Sequence, residues 1–388
     1  MWKNIAAVVV ALLVLAIAGE LAFRLYDMSQ GRSFAGEVPQ IRPYRIFGVD
    51  LHRIDGDRLI IQSRHGESFP FTKGDDTIRI VAFGGSTTAN ASNYKKDGIH
   101  YPLVLQQVLQ QALPSRTIEV INAGHEGYAT THLLTILAFD ALSWKPDIVI
   151  LSEDFNDLEA SYFGTFFPDY SQKYSIDYYN PGAFELLGHR SRLYRFVRSR
   201  LLRIDALNRY PVQRAHYGPL PPQLGREVFA RNLKSFVTLA QSNGIKVVLG
   251  SQALEALSEA DFVEDFERKS YNDLVWYPEH DLFLRHHQVF NGIIEQVAEE
   301  TGALFVDNNR ILNGRLEFFD DFIHYSKRGV ETVARNYADA ILRAGLLEVG
   351  PGPQPVVGGP APRNCQPVPP SCLAMRSSAS SASSALTR

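Results

Sequence analysis

Cysteine is nearly missing from this chain of 388 residues: only Cys365 and Cys372 carry a thiol, and both stand near the C-terminus. A disulfide framework and a thiolate metal centre are therefore excluded from everything before them. The pair itself fits either a small disulfide loop in an exported protein or two free thiols in a tail. Paired histidine ligands are lacking too. His280, His286 and His287 stand near acidic residues, but no His-x-x-x-His or comparable spacing occurs, so they read as helix-surface residues and no metal or other cofactor is expected. Net charge is only −3 and no long Lys/Arg run exists, which removes the electrostatic footprint of a nucleic-acid binder. The local cluster Arg190–Arg203 reads as a solvated helix face, with contact to an anionic membrane surface as its other use. Hydrophobic residues make up 45% of the chain, enough for one sizeable globular domain with appendages.

Long apolar runs are absent except at the N-terminus, where Ile5 to Ala18 is unbroken, preceded by Lys3 and followed by Gly19-Glu20-Leu21-Ala22-Phe23-Arg24. Alone the run is shorter than the ~20 residues that span a bilayer; continued to Phe23 it reaches that length. Ala16-Ile17-Ala18 also meets the small-x-small rule for signal-peptide cleavage. Residues 1–24 are thus a signal anchor or a signal peptide. The anchor is favoured because apolar character resumes after Glu20. The domain is expected outside the cytoplasm, held on the membrane (periplasmic or cell surface), and secreted if the segment is cut.

Residues 25–76 show no sustained period and read as a linker or N-terminal extension. From Thr77 the pattern is regular. Ile78–Phe83, Ile118–Asn122, Asp147–Leu151, Lys246–Leu249 and Ala303–Asp307 are short β-rich runs. Between and after them, Leu103–Leu113, Thr130–Leu142, Arg226–Ser242, Leu284–Glu300 and Lys327–Leu346 have helical spacing. Strands alternating with helices of this length predict an α/β fold, three layers α/β/α around a parallel five-stranded sheet. The regular part, 77–348, is broken at about 160–220 by a Tyr-, Phe-, Pro- and Arg-rich insertion. Its aromatic stretch Tyr162–Tyr179, with Phe163, Phe166, Phe167 and Tyr170, could be a lid, a sugar-stacking platform, or simply a locally packed insertion. Residues 349–388 are Pro/Gly-rich, then Ser/Ala-rich, and are expected to be disordered.

Ligand sites in parallel sheets lie beyond the carboxyl ends of the strands, and those positions are distinctive here. Gly84-Gly85-Ser86-Thr87-Thr88 follows the first strand, and Asn122-Ala123-Gly124-His125-Glu126-Gly127-Tyr128 the second. Glu153-Asp154-Phe155-Asn156-Asp157 follows the third. Asp320-Asp321-Phe322-Ile323-His324 precedes the last helix. Together they supply a hydroxyl nucleophile, a base oriented by a carboxylate, and donors for an oxyanion, the set that acyl transfer requires. Any one block alone is ordinary turn or capping chemistry.

In this order the four blocks resemble those of the SGNH (GDSL-type) serine hydrolases, and they cover nearly the whole regular part. The resemblance implies a flavodoxin-like α/β/α fold and an esterase. It implies Ser86, Asp321 and His324 as catalytic triad, and Ser86, Gly127 and Asn156 as oxyanion hole. Asp320 is the weaker carboxylate candidate. The apolar N-terminus resembles membrane-anchored bacterial members. Two departures stand out: the third block is usually Gly-x-Asn-Asp, and Asp154 stands at its first position; the first block is often Gly-Asp-Ser, and Gly85 replaces its aspartate. The expected substrate is a small-molecule or glycan ester, such as an acyl or acetyl ester of a carbohydrate or lipid. An O-acyltransferase of the same fold, or a non-catalytic glycan-binding envelope protein, are the alternatives.

Overall fold

The computed structural model describes residues 2–29, 52–61, 67–90, 96–163, 166–171, 173, 191–197, 217–255 and 277–347. The central sheet contains β4 (Thr77–Gly84), β5 (Thr117–Asn122), β6 (Ile148–Ser152), β7 (Lys246–Gly250) and β8 (Leu304–Val306), in the order β5-β4-β6-β7-β8. Every pairing is parallel, with Ile80 opposite Ile148 and Gly84 opposite Ser152 across the central pair. The parallel five-stranded sheet of the sequence reading is therefore present. β4 lies between β5 and β6, so the chain departs to one side of β4 and later returns on the other. The crevice at this reversal lies beyond the carboxyl ends of β4 and β6.

Side-chain alternation builds the three layers. Val81, Phe83, Val149, Leu151, Val247 and Leu249 face one side, packed with apolar residues of α4 (Thr130–Phe139), α7 (Gln223–Ser242) and α8 (His280–Thr301). Ile78, Ile80, Ala82, Ile148, Ile150 and Val248 face the other, against α3 (Tyr101–Ala112) and α10 (Lys327–Arg343). With both faces covered, these strands can be apolar at every position.

Part of the expected linker is structured. β1 (His52–Asp55), β2 (Arg58–Ile61) and β3 (Ser68–Pro70) form a three-stranded antiparallel sheet. Leu59, Ile61 and Phe69 from it join the larger core cluster. Arg79 of β4 fastens this segment. Fully buried, it donates from Nε to Glu119 Oε2 (2.7 Å). Its remaining nitrogens reach the carbonyls of Trp144 (2.7 Å), Phe71 (3.2 Å) and Pro70 (2.6 Å).

The N-terminal α1 (Trp2–Ser29) is one unbroken helix, and within it Ala7–Tyr26 is long and apolar enough to cross a membrane. Its last turns meet the short α6 (Arg192–Phe196) of the insertion. Glu20 Oε2 accepts from Ser191 Oγ and Leu193 N, both at 2.9 Å. Phe23 packs on Phe196 with ring centroids 5.2 Å apart. The tail from 348 onward, both cysteines included, lies outside the described residues, as does most of the stretch 174–216.

Candidate active site

Ser86 opens α2 (Ser86–Ala89), which begins as soon as β4 ends. As the first residue of a helix, its backbone N–H has no intrahelical acceptor. The opposite wall is a tight loop: Phe319 and Tyr325 form an antiparallel bridge, and Asp320 N donates to His324 O (2.8 Å). Ser326 then caps α10 through Gly329 N. Inside this loop Asp321 Oδ1 accepts the backbone N–H groups of Ile323 (3.0 Å) and His324 (2.7 Å). Asp321 Oδ2 lies 2.7 Å from His324 Nδ1, and His324 Nε2 lies 2.8 Å from Ser86 Oγ. The carboxylate can only accept, so Nδ1 carries the proton and Nε2 is left to accept from the Ser86 hydroxyl. Burial raises the Asp321 carboxyl, but the hydrogen bonds from His324 and Ile323 outweigh it and hold the group below its usual range. Asp320 takes no part in this series; its carboxylate is 3.8 Å from Lys96 Nζ.

The loop after β5 crosses beside the serine. His125 N donates to Gly84 O at 3.1 Å, and Gly127 turns in the left-handed region, φ 75°, where a side chain is unfavourable. Asn156, in α5 (Phe155–Ser161) after β6, donates from Nδ2 to Tyr128 O (3.1 Å) and Glu153 Oε1 (3.0 Å). Both of its amide hydrogens thus have acceptors at rest. Asp157 serves the second loop: its carboxylate accepts from Thr130 N (2.9 Å) and from the Thr130 hydroxyl at the start of α4. Burial pushes the Asp157 carboxyl up to about 6.

A serine hydroxyl, an imidazole and a carboxylate in hydrogen-bonded series, beyond the carboxyl end of a parallel sheet, is an arrangement suited to acyl transfer. In sequence, the chain matches the GDSL-like lipase/acylhydrolase family over residues 82–331. It belongs to that family. The protein is thereby an ester-bond hydrolase, and its sheet is the family's α/β fold. Similar solved structures include an acetyl xylan esterase from Geobacillus stearothermophilus, at 17% identity and TM-score 0.41, covering 68% of this chain and 94% of that one. Another is an alpha/beta hydrolase from the metagenome of Lake Arreo, at 16% and 0.40, covering 72% and 99%. A third is a GDSL-like lipase from Bacteroides thetaiotaomicron, at 14% and 0.39, covering 71% and 93%. No curated protein matches in sequence.

In this GDSL-family chain the sequence reading missed the residues that hold the strand-end loops together. Glu153, almost wholly buried, accepts from Gly85 N (2.7 Å) and from Asn156 N (2.8 Å). Gln252, beyond β7, accepts from Asp154 N and Phe155 N and donates to Thr87 Oγ1 (2.8 Å). Lys173 of the insertion donates to Asn156 Oδ1 (2.9 Å) and pairs with Glu159 at 2.5 Å. Asp154, the departure in the third block, directs its carboxylate to His287 Nε2 (3.3 Å), and both groups are buried. His286 and His287 are therefore core residues, not surface ones. His286 bonds the Tyr162 hydroxyl and Gly218 O, each at 3.0 Å. Tyr162 and Tyr170 are likewise buried, and Phe163 and Phe166 pack against buried clusters. Among the described aromatics of that stretch only Phe167 is exposed, so its packing is inward.

Proposed function

We propose that this protein is a membrane-anchored, extracytoplasmic serine esterase with Ser86 as nucleophile, His324 as general base and acid, and Asp321 as its orienting carboxylate. The supporting observation is the unbroken series from Ser86 Oγ through His324 to Asp321, at 2.8 and 2.7 Å. His324 takes the hydroxyl proton as Oγ attacks the ester carbonyl. Asp321 keeps the imidazole in the required tautomer and stabilises the imidazolium. The oxyanion is assigned to Ser86 N, Gly127 N and the Asn156 amide, which must give up or share one of its resting acceptors. Collapse expels the alcohol with the proton from His324; water, deprotonated by the same ring, then releases the acid. No metal or cofactor enters the reading.

The anchor is favoured over a cleaved signal because α1 continues as helix through Ala16-Ile17-Ala18 to Ser29. Its Glu20 and Phe23 are also engaged by the insertion. An extracytoplasmic site suits acyl or acetyl esters of envelope carbohydrate or lipid as substrates.

The test is Ser86→Ala, purified in detergent and assayed on p-nitrophenyl acetate and acetylated glycans, with a fluorophosphonate probe alongside. The wild type should be labelled and active, the variant neither. Turnover by the variant at the wild-type rate would overturn the triad.

A further inference from the structure

The first block commonly carries an aspartate where this chain has Gly85, and the space beside Gly85 is not vacant. A Cβ built there would collide with Glu153 Oε2 and meet Asn156 Nδ2 at 2.5 Å and Tyr128 O at 3.1 Å. The carboxyl of Glu153 fills that space from the neighbouring strand, since Glu153 follows the end of β6. Three N–H groups converge on it. Oε2 takes Gly85 N at 2.7 Å, and Oε1 takes Asn156 N at 2.8 Å and Asn156 Nδ2 at 3.0 Å.

We propose that Glu153 is the positioning residue of the oxyanion hole: a carboxyl supplied from β6 that occupies the place of a side chain at position 85 and ties the serine loop to Asn156. The proposal rests on the reading of Ser86 as nucleophile and Asn156 as oxyanion donor. Gly85 is then a requirement of Glu153 and not a random loss. Any larger residue at 85 collides with the carboxyl; without the carboxyl, Gly85 N and Asn156 N lose their acceptor, and the Asn156 amide keeps only Tyr128 O and Lys173. Oxyanion holes act through donors held in place before reaction begins. Burial pushes the Glu153 carboxyl up to about 8, so near neutrality it is mostly uncharged and does not repel the developing oxyanion.

The experiment is a double-mutant cycle on the full chain in detergent, read as kcat and KM on p-nitrophenyl acetate. Glu153→Ala should lower kcat by roughly 10²-fold with KM nearly unchanged, as misplacement near 1 Å does. Gly85→Asp alone should be at least as damaging. Combining Gly85→Asp with Glu153→Ala removes the collision with the carboxyl but leaves the contact with Asn156 Nδ2, so the double variant should lose clearly less than the two single losses combined. If Glu153→Ala does not fold, Glu153→Leu fills the same space without an acceptor for Gly85 N–H or Asn156, and should show the same loss in kcat. Glu153 variants with kcat within twofold of wild type, or a cycle whose losses simply add, would refute the positioning role. A Ser86→Ala enzyme that still turns over would instead remove the active-site reading beneath it.

Discussion

Asp321 and Asp320 are adjacent carboxylates with different surroundings, and the difference is testable. Asp321 accepts from the ring and backbone of His324, whereas Asp320 faces solvent and Lys96. Asp321→Asn should reduce kcat/KM on the order of 10⁴-fold by favouring the wrong histidine tautomer, while Asp320→Asn should stay within about twofold. Asn156→Ala should lower kcat by ~10²–10³ with KM little changed; the opposite split would make Asn156 a ground-state binding group. Glu153 carries a pH prediction. Its carboxyl is raised from 4.5 to about 8 by burial and by Asp157, with Asp154 adding to this and Lys173 opposing it. The folded chain thus holds a proton that the unfolded chain releases above about 4.5. Its stabilising share is complete at low pH and lost as pH climbs towards 8. Thermal melts of Glu153→Gln against wild type should show the variant gaining relative to wild type from pH 5 to pH 8. A constant difference would mean that Glu153 is already ionised. These buried partners were hidden from sequence reading because Glu153 meets Gly85 across 68 positions and Gln252 meets Thr87 across 165. Ser86, Asn156 and the Asp321–His324 pair stood out because each lies in a short motif beside an element of obvious period.

At the scale of elements, the parallel strands were legible since β-branched runs buried on both faces leave little else they can be. β1 to β3 were not. β1 is only four residues, with Ile54 as its one apolar side chain, and it becomes a strand by pairing across the turn at 56–57 with β2. Its attachment depends on Arg79, which sits with Glu119 in the interior and reaches three carbonyls of other segments. Arg79→Ala would strand the Glu119 carboxylate and these carbonyls, at a cost of about 3–5 kcal/mol. A fall in Tm with retained kcat in the surviving folded fraction is the expected signature. An unchanged Tm would show that the small sheet is held by its apolar contacts alone. The insertion was legible as an interruption, but its role was not, because Lys173 reaches Asn156 through a single long side chain that no periodicity marks.

For the whole molecule, the anchored reading predicts that the protein stays in the membrane pellet through alkaline carbonate washing, and that its N-terminal sequence includes residues before Gly19. Recovery in the soluble fraction beginning at Gly19 would establish cleavage. The insertion joins two fixed points: Lys173 is bound at Asn156, and Ser191 is bound at Glu20 near the end of α1. Fully extended at ~3.3–3.6 Å per residue, the chain between them bounds their separation to roughly 60–65 Å. On the anchored reading, hydrolysis is confined to a thin shell above the bilayer. Esters fixed within that shell would be encountered by lateral diffusion, so turnover would follow their density per unit area of membrane and not their concentration in bulk.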